Sequence, residues 1–234
     1  MKIDDSVALV TGANRGIGLA FTQELLARGA RKVYAGARDP STVKQRDVEA
    51  IRLDVTKPDE VAAAATRAGD VTLLINNAGI GHAGGFLAPD SEEIARRMLE
   101  TNFFGVLRAS KAFAPALAAN GGGAILNVLS IATWQNGGYL AAYSASKSAA
   151  WSLTNSLRHE LAAQKTQVLA LHMHFVDTDL VRAMDAKKTS PEEIVKRALD
   201  ALESGFEEVL ADEPTRLVKA GLTAPRPIYL PQRA

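Results

Sequence analysis

Short apolar runs alternate with stretches of helical periodicity along most of this chain. Residues 6–10 (SVALV) form a compact strand-like run. Ile17, Leu19, Ala20, Phe21, Leu25 and Leu26 then recur at helical spacing over 16–28, and Gly29 stands where a helix-ending residue belongs. Further strands are predicted at 32–37, 49–54, 71–75, 124–129 and 167–174, with a short last one at 208–211. The run VTLLI at 71–75 is apolar without alternation, as in a strand covered on both faces. A helix is predicted over 58–68, started by Pro58, Asp59 and Glu60 and ended by Gly69. Two more cover 90–119, interrupted near Gly105 and Pro115, and 143–163. Ser190-Pro191-Glu192-Glu193 is a capping box with proline at the first helical position, starting a helix that runs to about residue 204. A polar, proline-containing tail is expected after residue 211. The β-α-β alternation predicts an α/β fold, a doubly wound parallel sheet with helices on both faces. Neither a linker-like composition shift nor a solenoid repeat divides the chain, so 1–234 is read as one domain.

Composition agrees with that picture. Of 234 residues, 47% are hydrophobic and 23% charged, the balance of an ordinary globular protein. A chain of this length buries about 70% of its unfolded surface and needs no covalent staples. It has no cysteine, which excludes disulfides, thiolate catalysis and Cys-ligated zinc; reducing cytoplasm is the expected compartment. The net charge is +1 with no basic block, so neither nucleic acid nor an anionic membrane is an expected partner. The start, MKIDDSVALVTG, places two acids ahead of its apolar run, unlike a signal peptide. No apolar run approaches the roughly 18 residues that suggest a bilayer span.

Candidate chemistry begins where the first strand meets the first helix. Thr11-Gly12-Ala13-Asn14-Arg15-Gly16-Ile17-Gly18 is a glycine-rich strand-to-helix turn. Such a turn lets backbone approach a pyrophosphate, and the helix N-terminus supplies N–H donors and a positive dipole end. The second strand should end beside the adenosine ribose. An acid there would hold the 2′-hydroxyl and repel a 2′-phosphate, but position 37 is alanine and Arg38 follows it. Arg38 and Arg15 therefore predict NADP(H), with Asp39 as a rival partner for Arg38.

A second constellation lies further along. Asn76-Asn77-Ala78-Gly79 follows the fourth strand, Ser130 the fifth, and Tyr143-Ser144-Ala145-Ser146-Lys147 starts a helix. Tyr143 and Lys147, four apart, share a helix face, and an ammonium beside a phenol favours phenolate. That predicts a lowered phenol pKa and an acid–base group usable near neutral pH.

Taken together, TGANRGIG (11–18), Asp54-Val55, NNAG (76–79), Asn102, Ser130, YSASK (143–147) and Val176-Asp177-Thr178 resemble, in order and spacing, the short-chain dehydrogenase/reductase family. The resemblance covers nearly the whole chain and is to the conventional one-domain form with a Rossmann fold. It implies Tyr143 as general acid in ketone reduction and base in alcohol oxidation, and Ser130 as the group orienting the substrate oxygen. Lys147 would tune Tyr143 and hold the nicotinamide ribose. Asn102 would hold, through its backbone carbonyl, a water of a proton relay. Gly12, Asn14, Arg15, Gly16, Ile17 and Gly18 would cradle the dinucleotide, with Arg38 at the 2′-phosphate. Asp54 and Val55 would line the adenine site, Asn77, Ala78 and Gly79 would back the adenosine, and Val176 and Thr178 would grip the carboxamide. The expected activity is NADPH-dependent reduction of a ketone or aldehyde, reversible as alcohol oxidation. Two alternatives stay open: imine reduction or other chemistry of the family through an altered pocket, and a non-catalytic NADP-sensing regulator. A homodimer or homotetramer is implied, through helices near 91–119 and 143–163.

One stretch departs from the family pattern, with Met173-His174 where Pro-Gly is usual. Histidine adds bulk and a titratable ring, so His174 is expected to border the pocket. Trp134, Tyr139, Leu180 and Met184 are expected to complete it, for a hydrophobic or aryl carbonyl. His172 and His174 face one way on a strand, but two ligands without a third do not make a metal site, and none is expected.

Overall fold

The computed structural model describes residues 1–179 and 186–231. Seven strands, all parallel, form one sheet: β1 (Val7–Thr11), β2 (Lys32–Ala37), β3 (Glu49–Arg52), β4 (Leu73–Asn76), β5 (Ala124–Val128), β6 (Gln167–His172) and β7 (Glu208–Leu210). Their spatial order is β3-β2-β1-β4-β5-β6-β7. The chain runs outward from β1 to β3, then returns to lay β4 on the other side of β1. That reversal makes a switch point, where doubly wound folds open a crevice beyond the strand C-termini.

Strand alternation divides the core between the two faces. Ala8 and Val10 point to one side, against Phe21 and Leu25 of α1 (Gly16–Ala27) and Leu199 and Leu202 of α6 (Pro191–Glu203). Val7 and Leu9 point to the other. There they meet Val61 of α2 (Pro58–Arg67), Phe113 and Leu117 of α4 (Gly105–Ala119) and Leu157 of α5 (Ala141–Glu160). Phe21 and Phe113 are fully buried on opposite faces, and each contributes about 2–3 kcal/mol of apolar burial. Gly29 ends α1 as expected. At φ +81° it donates to Leu26 O while Ala30 donates to Leu25 O, closing a Schellman cap.

Two predicted features change. The interruption near Gly105 is real: α3 (Ser91–Leu99) passes through a π-helical turn, Glu100–Phe104, into α4. Pro115 does not interrupt α4. It lies on the exposed face, where the carbonyl it leaves unpaired can reach water, while buried Phe113 and Leu117 hold the helix to the sheet. The expected tail instead carries a helix, α7 (Glu213–Gly221). Asp212 caps it, accepting from Thr215 N at 2.9 Å, and Pro214 sits in its first turn.

Candidate active site

The chemistry-bearing residues gather at the C-terminal edge of the sheet. The turn after β1 and the loop after β4 flank the switch point and are tied by Thr11. Its hydroxyl accepts from Asn77 N at 3.0 Å and Ala78 N at 2.9 Å, and donates to Ile75 O at 3.3 Å. Asn77 adds a second tie, its side-chain amide donating to Thr11 O at 2.9 Å and Gly12 O at 3.1 Å. That engagement makes Asn77 a support of the turn, which the sequence expectation of an adenosine contact had missed. Gly18 must be glycine: a Cβ there would stand 2.1 Å from Gly12 O and 2.6 Å from the Asn77 amide nitrogen.

The N-terminus of α1 suits an anion. Its cap residue, Arg15, makes no side-chain capping bond, and no acid stands in the first turn. The first N–H groups of the helix are therefore left to a ligand. Thr178 reaches this turn from the segment after β6, and a Cβ on Gly16 would lie 3.2 Å from its methyl. Ile17 packs on the core beneath. Asn14 donates to Thr42 Oγ1 at 3.1 Å. Exposed Arg15 pairs with Asp179 at 3.3 Å.

Arg38 is exposed at the end of β2. Asp39, its expected rival partner, instead accepts from Ser41 N at 3.0 Å, and the Ser41 bonds hold its carboxyl below the usual range. Asp54 closes its own turn, one oxygen accepting from Thr56 N at 2.9 Å and Thr56 Oγ1 at 2.8 Å. Val55 is buried under Gly105, where a Cβ would approach it to 2.7 Å.

Lys147, on α5, is buried and donates to Val128 O at 2.8 Å. A Cβ on Gly79 would lie 3.8 Å from Lys147 Nζ and 3.3 Å from Asn102 Oδ1, so the β4 loop, α5 and the π turn converge here. Asn102, 1% exposed, accepts from Ile80 N and donates to Ile80 O and Ser146 Oγ, each at 2.9 Å. The π turn thus spends the Asn102 side chain on fastening the β4 loop to α5. Ser130 accepts from Ala132 N at 3.1 Å through its hydroxyl, which keeps its proton for another acceptor.

The electrostatics correct one expectation. Burial raises the Tyr143 phenol above its ordinary pKa, and the Ser130 hydroxyl only partly opposes this. Lys147 was expected to lower it. Its ammonium is engaged by Val128 O and stands 5.8 Å from the Tyr143 ring centre, and burial lowers its own pKa to about 8. Desolvation thus favours the neutral form of both groups.

The expected pocket residues fare unequally. Tyr139 is exposed, and its carbonyl accepts from Gly84 N at 2.6 Å, tying the 80s loop to the start of α5. His174 is half-buried with its ring 4.2 Å from that of Phe175; burial lowers its pKa, and its backbone N donates to Asp212 Oδ2 at 2.7 Å. Trp134 has protein neighbours instead. Its indole stacks on His172 at 4.0 Å and meets Trp151 edge-on at 6.1 Å, with Lys219 over its face at 4.4 Å. Val176 is buried. Leu180 and Met184 lie outside the described residues. Four contributors went unassigned in the sequence: Thr11, Ser146, His172 and Asp212. Only Asp212 carried a readable signal, the Asp-x-x-Thr spacing of a helix cap.

A parallel sheet with an uncapped, glycine-led helix at its switch point and a Ser-Tyr-Lys cluster beside it defines a dinucleotide-dependent oxidoreductase. The chain belongs to the short chain dehydrogenase family, whose model matches residues 6–189. The family uses a nicotinamide dinucleotide. A short chain dehydrogenase from Burkholderia cenocepacia, solved in complex with NADP, is 41% identical with a TM-score of 0.93, over 96% of this chain and 95% of that one. The 3-oxoacyl-[acyl-carrier-protein] reductase of Escherichia coli is 32% identical over 193 residues, 79% of each chain. The galactitol 2-dehydrogenase of Cereibacter sphaeroides is 34% identical over 194 residues, 78% of this chain and 76% of that one.

Proposed function

We propose that this chain is an NADPH-dependent carbonyl reductase, running in reverse as an alcohol dehydrogenase. The observation that carries the reading is the convergence of Ser130, Tyr143 and Lys147 beside the glycine turn. When bound, the reduced nicotinamide supplies a hydride to the carbonyl carbon. Tyr143, kept protonated by burial, would donate its proton to the developing alkoxide, so that ketone, hydride and proton together make a secondary alcohol. Ser130 donates to the same oxygen and fixes its direction. Lys147, with a pKa of about 8, changes charge within the working range and answers the proton lost by Tyr143.

Cofactor choice follows from Ala37, Arg15 and Arg38. No carboxylate is present at position 37 to repel a 2′-phosphate, and Arg38 stands exposed at the end of β2; Arg15, paired with Asp179 here, would join it only by leaving that pair. The Burkholderia relative bound to NADP supports the same choice. Gly12 to Gly18 would hold the diphosphate; Asp54, Val55, Ala78 and Gly79 the adenosine end; and Val176 and Thr178 the carboxamide. Tyr139 and His174 border the substrate side, for a hydrophobic or aryl carbonyl. The names of the relatives, a ketone reductase and a sugar-alcohol dehydrogenase, span both directions of this chemistry.

No described helix is long and apolar enough to cross a membrane, and the absence of cysteine suits a reducing cytoplasm. Association as a homodimer or homotetramer, through the helices near 91–119 and 143–163, is part of the same proposal, and light scattering would read it directly.

The test is NADPH oxidation at 340 nm with acetophenone, ethyl acetoacetate and 2-butanone, NADH in parallel and Tyr143→Phe as control. Turnover that prefers NADPH and vanishes in the mutant is expected. Tight NADPH binding with no turnover of any carbonyl overturns the reductase and leaves a regulator or an enzyme whose substrate His174 has changed.

A further inference from the structure

His172 ends β6 with no exposed surface, in a place where its chemistry is otherwise unused. Its Nδ1 lies 3.2 Å from Ser130 O. A carbonyl can only accept, so Nδ1 carries the proton and the bare nitrogen is Nε2. Nε2 has no hydrogen-bond partner, its nearest acid being Glu208 at 3.7 Å. A buried imidazole with one nitrogen unpaired is costly, and an apolar ring would fill the same space at lower cost. The surroundings hold the ring in one orientation. Trp134 stacks on it at 4.0 Å. Lys219 of α7 lies over Trp134 and binds both oxygens of Glu208 at 3.0 Å.

The single bond that this ring makes ends on the catalytic serine's own peptide. Ser130 O also accepts from Thr133 N at 3.1 Å, closing the 3-10 turn that directs the Ser130 hydroxyl. Flanking backbone bonds, Leu129 N to Leu171 O and Ile131 N to Met173 O, both at 2.8 Å, fasten the neighbours of Ser130 to β6. His172 supplies from the same strand a side-chain bond to the residue between them.

We propose that His172 is a positioning residue for the carbonyl-reduction site: its Nδ1–H fixes the Ser130 peptide and thereby the direction of the Ser130 hydroxyl toward the substrate oxygen. The inference rests on Ser130 orienting that oxygen. Directional loss at one transition-state donor lowers kcat more than it raises KM.

Two substitutions separate the hydrogen bond from the packing. His172→Phe keeps the ring and loses the donor. His172→Asn places an amide nitrogen near the position of Nδ1 and loses the ring. With ethyl acetoacetate and NADPH, the Phe variant is expected to keep its Tm and the wild-type KM while kcat falls about tenfold, an effect of roughly 1.4 kcal/mol. The Asn variant is expected to keep kcat within about threefold while its Tm falls, because stacking is lost. His172→Leu, also without a donor, repeats the kcat loss independently of the ring. If kcat follows Tm across the three variants, or stays at the wild-type value in both Phe and Leu, His172 is packing alone and the proposal fails. Ser130→Ala is the separate control. Full activity in that variant removes the Ser130 reading itself, whereas its loss of activity beside fully active Phe and Leu variants removes only the role of His172.

Discussion

Replacing Thr11 with valine measures the tie between the glycine turn and the loop after β4. The Thr11 side chain is buried, with its hydroxyl accepting from Asn77 N and Ala78 N at 3.0 and 2.9 Å. Valine occupies nearly the same volume and leaves both N–H groups without that acceptor. An unpaired buried donor costs about 1–3 kcal/mol. These two lie in partly buried backbone, which places each near the bottom of that range. The added methyl returns less than ~1 kcal/mol, so the expected net loss is about 1–2 kcal/mol. Thr11→Ser keeps the hydroxyl and gives up one methyl, at a cost of ~1 kcal/mol. Urea unfolding followed by tryptophan fluorescence reads both, with an unchanged m-value as the condition for comparing them. NADPH titration reads the turn: valine should weaken binding clearly, serine only slightly. A serine variant less stable than the valine variant, or NADPH affinity equal in all three proteins, refutes the reasoning.

Arg38→Ser should cut the NADPH-over-NADH preference in kcat/KM by about 10–100-fold, the worth of one hydrogen bond to a charged group. An unchanged ratio would remove Arg38 from the phosphate site. Gly18→Ala should weaken NADPH binding by tenfold or more, roughly 1.4 kcal/mol, because its Cβ would stand 2.1 Å from Gly12 O; calorimetry on the folded variant decides. Lys147→Met should abolish turnover yet raise stability by ~2 kcal/mol below pH 8, where the wild type must keep a buried ammonium charged; equal stability at pH 7 counts against this. His172 has its pKa pushed down to about 3 from 6.5 by burial, so the unfolded chain binds its proton first as pH falls. Stability should therefore drop from pH 6.5 toward 3, by ~5 kcal/mol at most from this group, and His172→Phe should flatten that part of the acid-unfolding curve.

Strand positions were legible because this sheet is buried on both faces: apolar runs such as LLI before Asn76 in β4 and AIL before Asn127 in β5 have few other places to go. The strand order, and with it the switch point, was not legible: right-handed β-α-β units do not say on which side of β1 the fourth strand returns. The candidate site residues stood out for another reason. Ser130, Tyr143 and Lys147 are weak signals singly, and became readable only through the joint order and spacing of several short motifs. Side-chain direction was not legible where it depends on distant segments. Trp134 looked like a pocket wall until His172, Trp151 and Lys219, from three other parts of the chain, were seen packed around it. The sign of the Tyr143 shift was missed for a related reason: spacing on a helix gives proximity to a charge but not the depth of burial, and here burial prevails. Helix α7 was missed although Asp212 and Thr215 stood at capping distance, because the prolines and charges around them read as loop.

The carboxylate of Asp212 bears on how this protein is made. One oxygen holds His174 N at 2.7 Å, two residues before Val176, while the other caps α7 at Thr215. Residues 11–18 thus form the first part of the site to leave the ribosome, and its last fastening lies some two hundred residues later. A nascent chain that has emerged as far as β6 still lacks the anchor for the segment that follows that strand. Synthesis is vectorial and a domain folds as a unit, so the sheet edge can be completed only after the segment carrying Asp212 has emerged. Chains stalled or clipped before residue 212 would then leave His174 N without its carboxylate partner.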